Sequence, residues 1–110
     1  MKMCLDSSSS ILKLKLDDKN YRQEMGRGMA KGILAFINDK LQAQGKTWQD
    51  ISEIHYFCGP GSFTGLRIGA SVVNTLASEL KIPLYNQRGE QLKLAIPEYG
   101  RPANISQPKK

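Results

Sequence analysis

The chain is poor in the residues from which metal, redox and hydrolytic sites are built. It has one histidine and two cysteines among its 110 residues. Cys4 and Cys58 each sit in an apolar run with no second Cys or His at metal-ligand spacing, so no metal site is expected. They read instead as buried free thiols in a reducing compartment. His55 also lies in an apolar run, where a structural role is favoured over that of a general base. No apolar stretch approaches the roughly 20 residues that span a bilayer. No signal-peptide pattern opens the chain either, since Met1–Leu5 runs directly into Asp6 and four serines. The expectation is a cytoplasmic protein with no membrane partner.

Clustered charge is missing as well. The net charge is +6, but successive segments 1–20, 21–58, 59–88 and 89–110 carry +1, +1, +2 and +2. The longest basic run is the final Lys109-Lys110. Charge spread this evenly favours solubility and weak steering toward polyanions, and it is not a recognition patch in itself. RNA is therefore expected to be met only indirectly. A hydrophobic fraction of 40% and a charged fraction of 24% are those of an ordinary globular chain long enough for one small domain.

What is present is an ordered series of periodic segments. Met1–Leu5 and Ser9–Leu16 read as paired strands. In the second of these Leu12, Leu14 and Leu16 share one face, with Lys13 and Lys15 on the other. Residues 17–20 form a turn, followed by a weaker strand over Tyr21–Met25. A helix is expected over Gly28–Gln44, with Met29, Ile33, Ile37 and Leu41 on one stripe and Gly45 to end it. Thr47 and Asp50 have the spacing of a capping pair. Ile54–Cys58 is a continuous apolar run that suits a central parallel strand buried on both faces. A second helix over Gly65–Lys81 and a closing strand over Ile82–Tyr85 complete an α/β domain with a mixed sheet. Beyond Arg88, Glu90–Ile96 has the pattern of a short helix, and the prolines from Pro97 onward imply an extended tail.

The most informative stretch is Gly59-Pro60-Gly61-Ser62-Phe63-Thr64-Gly65-Leu66-Arg67. A phosphate-binding P-loop needs Lys then Ser or Thr after its last glycine, and here Leu66-Arg67 follows Gly65. The dinucleotide fingerprint needs G-x-G-x-x-G, and the third glycine comes one residue late. A nucleophile elbow needs glycines two residues either side of its serine, where Ser62 has Pro60 and Thr64. All three enzyme patterns fail on spacing. What remains is a tight turn after a strand, with Ser62 or Thr64 placed to cap the helix. That helix is rich in small residues, including Gly65, Gly69, Ala70, Ser71, Thr75, Ala77 and Ser78, interleaved with Leu66, Val72, Val73, Leu76 and Leu80. A helix so nearly apolar all round needs cover on more than one side. Its own sheet and first helix can supply that cover, as can a helix of another chain.

The block GPGSFTGLRIGASVVNTLASELKIPLY resembles the signature of the TsaB family, the dimerisation subunit in bacterial threonylcarbamoyladenosine synthesis. The start MKMCLDSSSS resembles that family's first strand and Asp-Thr-Ser turn, with serine in place of threonine. Residues 1–87 carry the likeness. It implies a single lobe of the actin-like ATPase (ASKHA) fold over residues 1–88, a mixed β-sheet with helices packed on it, followed by a short helix and tail over 89–110. The family's second lobe has no counterpart, and Pro97–Ile105 resembles its C-terminal tail, which implies a shortened member.

The resemblance further implies a non-catalytic scaffold without a cofactor, in the modification of tRNA adenosine 37. It would bind the catalytic subunit TsaD, with a TsaE-like ATPase as a further partner and homodimerisation when alone. The implied interface is Met29, Ile33 and Ile37 from the first helix with Gly69, Val72, Val73 and Leu76 from the second. Asp6 and Ser7 would face a nucleotide if one bound. The alternative expectation is a homodimeric or nucleotide-binding domain with residual ATPase activity. Apart from any ligand, Asp6 and its serines read as a hydrogen-bonded hairpin turn.

Overall fold

A computed structural model describes residues 1–98. Three antiparallel strands open the chain: β1 (Lys2–Asp6), β2 (Ile11–Leu16) and β3 (Lys19–Glu24). They are followed by helix α1 (Met29–Ala43), strand β4 (Glu53–Tyr56), helix α2 (Phe63–Leu80), and strands β5 (Leu84–Asn86) and β6 (Gln91–Leu92). The sheet runs β3-β2-β1-β4-β5-β6. β1 pairs parallel with β4, and β4 with β5, while the remaining neighbours are antiparallel.

The strand alternation positions everything else. Leu12, Leu14 and Leu16 are buried, while Lys13 and Lys15 are exposed. Met3 and Leu5 from β1, and Ile54 and Tyr56 from β4, continue the buried face. Both helices lie on that face, where Ile33, Ile37, Leu41 and Val73 are as fully buried as the strand residues they meet. Each such aliphatic side chain contributes about 1.5–3 kcal/mol of hydrophobic stabilisation. The opposite face carries Lys2, Cys4, Asp6, Lys13, Lys15, His55 and Phe57, none of them fully buried. β4 is therefore central and parallel as expected, but buried on one face and not on both. Two helices suffice to cover only one side of the sheet.

Local signals account for the element ends. The β2–β3 turn is shorter than expected, using only Asp17 and Asp18, with Asp17 at a φ of 52°. α1 ends in a Schellman motif: the Lys46 amide donates to the Leu41 carbonyl and the Gly45 amide to that of Gln42, both at 2.9 Å, with Gly45 at φ 69°. The Asp50 carboxylate accepts from the Thr47 amide at 2.8 Å, and that bond, first among the causes, holds its pKa below the ordinary value.

The expected helix over Glu90–Ile96 is replaced by a hairpin. Asn86 Oδ1 accepts from the amides of Arg88 and Glu90, and the Gly89 amide closes onto the Asn86 carbonyl. The chain thus returns as β6, with Leu92 opposite Leu84. Ala95, beyond β6, is buried in the same core. Of the expected tail, only Pro97 and Glu98 lie within the described residues. No helix among the described residues is long and apolar enough to cross a membrane.

Candidate partner-docking surface

The turn after β4 explains why its residues are glycine, proline and serine. Gly59 takes a φ of 118°, and a Cβ there would strike the Glu98 carbonyl and the Leu66 side chain. The Gly59–Pro60 bond is cis. At Gly61 an added Cβ would meet Ser8 Cβ at 2.5 Å, and the next amide, Ser62, donates to the Ser8 carbonyl at 2.8 Å. Ser62 then caps α2, its Oγ accepting from the Gly65 amide at 3.2 Å. Of the two candidate caps, the hydroxyl of Ser62 is the one used.

Small residues on α2 serve close approach to the same strand turn. An added Cβ at Gly65 would collide with the Ser7 carbonyl, and one at Gly69 with the Ser7 hydroxyl. The helix backbone therefore lies directly on Ser7, which is fully buried. Tyr56 reinforces the contact, its Oη donating to the Leu66 carbonyl at 2.6 Å. Ser7 Oγ has no hydrogen-bond partner among the described residues. Asp6 Oδ1 accepts from the Ser8 amide at 2.9 Å and the Ser8 hydroxyl at 2.6 Å, the hairpin turn its sequence implies. Ser7 was expected to face a nucleotide together with Asp6. Its side chain is sealed beneath α2, and only Asp6 of that pair remains partly open.

The expected interface residues divide in the same way. Met29, Ile33, Ile37 and Val73 are core residues, at most 3% exposed, and Gly69 is pressed against Ser7 and Tyr56. None of these five reaches the outside of the helical layer; all of them pack in the chain's own core. A four-residue stripe on a helix marks its buried face, and here that face is occupied by the sheet.

Val72 and Leu76, and Ile68 one turn earlier, pack against the core but stay partly exposed, with Ser71 and Thr75 exposed beside them. No charged residue occurs between Arg67 and Glu79. From α1, Leu34 is 49% exposed. A cleft of about 290 Å³ between the helix starts is lined by Arg27 and Met29 on one side and Thr64 and Ile68 on the other, so the two helices begin side by side. In the motif itself, Phe63 is 64% exposed and Arg67 is exposed at the start of α2. Leu34, which the sequence places at the edge of the first helix's apolar stripe, and Ile68 were not among the residues expected at an interface. Their signal is an apolar residue on a face otherwise small or polar.

The other flank of α2 is covered by the chain itself. Asn74 exchanges two hydrogen bonds with the Ala95 backbone, at 2.7 and 3.1 Å. The Glu98 amide donates to the Cys58 carbonyl at 2.6 Å, and Gln87 bridges the Cys58 amide and the Gly59 carbonyl at 3.0 Å each. Arg88 pairs with Glu98 and Glu90, which raises its pKa, while Asn86 and Arg88 lower that of Glu90. These pairs are open to solvent and fix geometry more than they add stability.

Comparison with known proteins follows the same elements. A family model described as "TsaD: tRNA N6-adenosine threonylcarbamoyltransferase" matches residues 22–86, from β3 through α2 to β5. The chain is 31% identical over 86 residues to the tRNA threonylcarbamoyladenosine biosynthesis protein TsaB of Haemophilus influenzae, covering 74% of this chain and 36% of that protein. It is 40% identical over 52 residues to the Escherichia coli protein of the same name, covering 47% and 22%. YeaZ from Pseudomonas aeruginosa superposes with a TM-score of 0.69 at 28% identity, covering 77% of this chain and 42% of that one. The likeness places the mixed sheet and its helices in the actin-like ATPase (ASKHA) fold class. The chain spans 22–36% of the length of these two curated relatives.

Proposed function

This chain is a TsaB-type member of the family described by the tRNA N6-adenosine threonylcarbamoyltransferase (TsaD) model, and from that membership we propose that it serves tRNA threonylcarbamoyladenosine biosynthesis as a non-catalytic scaffold docking a TsaD-like catalytic subunit. The observation that carries this reading is the uncharged outer stripe of α2. Ile68, Val72 and Leu76 keep apolar surface in water, with only Ser71 and Thr75 beside them. Small neighbours let a second helix approach closely. Leu34 of α1 extends the same layer, which a stable contact requires, since about 800 Å² per partner is usual.

The stripe replaces the buried residues first expected to form the interface and keeps the two helices as its source. In this reading residues 1–98 act as one lobe, and a TsaE-like ATPase joins through the catalytic subunit. The nucleotide-binding alternative draws less support, because Ser7 presents no atom to solvent.

Size exclusion with light scattering, on the protein mixed with the TsaD-like subunit of its own organism, tests the reading. A one-to-one complex is expected, weakened at least about a hundredfold by Val72→Arg, which would bury an unpaired charge. Val72 is partly exposed, and circular dichroism checks that the variant keeps its fold. A complex indifferent to Val72→Arg overturns the reading. So does a homodimer that the catalytic subunit fails to displace.

A further inference from the structure

The face of the sheet away from the helices gathers charge that the sequence scatters. Lys2 of β1, Lys13 and Lys15 of β2, and Arg22 of β3 all line one open concavity of about 610 Å³. Asp6 is the one carboxylate among its lining residues, and its Oδ1 is already held by Ser8. None of the four cations has an ion-pair partner among the described residues. Strand register sets Lys13 between Arg22 on one side and Asp6 on the other. Like charges paired across strands repel, and the carboxylates of Asp6, opposite Lys13, and Glu53, opposite Lys2, share the face with the four cations. Four cations on one open face, none of them held in an ion pair among the described residues, favour an anionic ligand.

The floor of the concavity identifies the kind of anion. His55 and Phe57 of the β4 segment line it, both half-buried with ring surface open. His55 stacks on Tyr85 with ring centroids 4.8 Å apart and planes 20° from parallel. The Glu53 carboxylate, 2.6 Å from His55 Nε2, fixes the ring in that position. From Arg22 to Phe57 the platform crosses three strand spacings, about 14 Å. Cations on one side and a pre-stacked aromatic floor on the other suit a polyanion whose units carry flat rings. Sheets of this kind stack two or three unpaired bases while basic side chains follow the phosphates. A duplex hides its base faces and gains only the charge.

We propose that this open sheet face binds single-stranded RNA, the phosphates running along Lys13, Lys15 and Arg22 and unpaired bases stacking over His55 and Phe57. The site lies on the opposite side of the sheet from the outer stripe of α2, so it stands or falls independently of the docking reading. It replaces the expectation, drawn from evenly spread charge, that RNA is met only indirectly.

Fluorescence anisotropy with a short labelled single-stranded RNA, and the same sequence as a duplex, tests it on the intact chain. The single strand is expected to bind more tightly than the duplex. Its affinity should fall roughly fifteen- to twentyfold between 50 and 200 mM salt, as about three phosphate contacts require. Lys15→Glu with Arg22→Glu should weaken binding at least about tenfold, whereas the equal charge change Lys31→Glu with Lys46→Glu should move it less than about threefold. Arg22→Glu places a carboxylate opposite Lys13, so its melting temperature should equal or exceed that of the unaltered protein while binding falls. Cys4, on the same face, should be alkylated more slowly as RNA saturates. Absence of binding at low salt, equal loss in the control pair, preference for duplex, or unprotected Cys4 would each overturn the proposal.

Discussion

Successive residues of β4 meet opposite surroundings. Ile54 and Tyr56 are completely buried beneath α1 and α2, while His55 between them is only partly covered and rests on Tyr85. The same division runs across the sheet: Leu14 and Leu16 lie under the helices, and Lys13 and Lys15 stand over the open concavity. One face is covered by the helices, buries the core side chains and specifies the fold. The other keeps charged and aromatic groups that add little to folding, and this is where the chain is free to vary its chemistry.

Truncation of adjacent residues should show the contrast most strongly. Ile54→Ala is expected to cost about 2–5 kcal/mol in chemical denaturation, through lost burial and a cavity. His55→Ala should cost under about 1 kcal/mol, as substitutions outside the core usually do. Equal losses would mean that the open face is as tightly packed as the covered one, and the comparison would break.

A smaller effect sharpens it from the covered side. Gly69→Ala adds one methyl against Ser7 and Tyr56 and should cost about 1–3 kcal/mol by overpacking, a loss that Ala70→Gly on the same helix would not imitate in mechanism. An unchanged denaturation midpoint in Gly69→Ala would show that the helix can lift from the strand turn.

The last contrast leaves stability untouched. Cys4 faces the concavity and Cys58 the core, and burial raises the pKa of both thiols above the ordinary value. A raised pKa means less thiolate at a given pH, so Cys4 should react with iodoacetamide more slowly than a free thiol and catch up only at higher pH. Cys58 should stay unreactive until the protein unfolds. Mass spectrometry of the labelled sites reads both. Comparable labelling of the two would erase the distinction between faces.

Much of this architecture was legible in the sequence where the signal is local. The alternation of Leu12 to Leu16, the helix stop at Gly45, the Thr47–Asp50 pair and the cap at Ser62 each depend on neighbours within a few residues. What escaped depends on residues far apart in the chain. Gly65 and Gly69 are small because Ser7, on β1's turn, lies beneath them, and no periodicity carries that information. Met29, Ile33, Ile37 and Val73 share a pattern that fits a partner's helix as well as the chain's own sheet, and only the packing separates the two. The hairpin at Asn86–Gly89 overrode an apparent helix because Asn86 binds two amides of the turn. The cations of the open face belong to three strands, so their meeting is a product of topology.

One contact has a mechanical consequence. Since no side chain separates the backbone of α2 from Ser7, there is no compliant layer at that junction to absorb a displacement. A displacement of the helix therefore bears directly on the first strand's turn. The two elements work as one stiff lever, with its fulcrum at a pair of glycines.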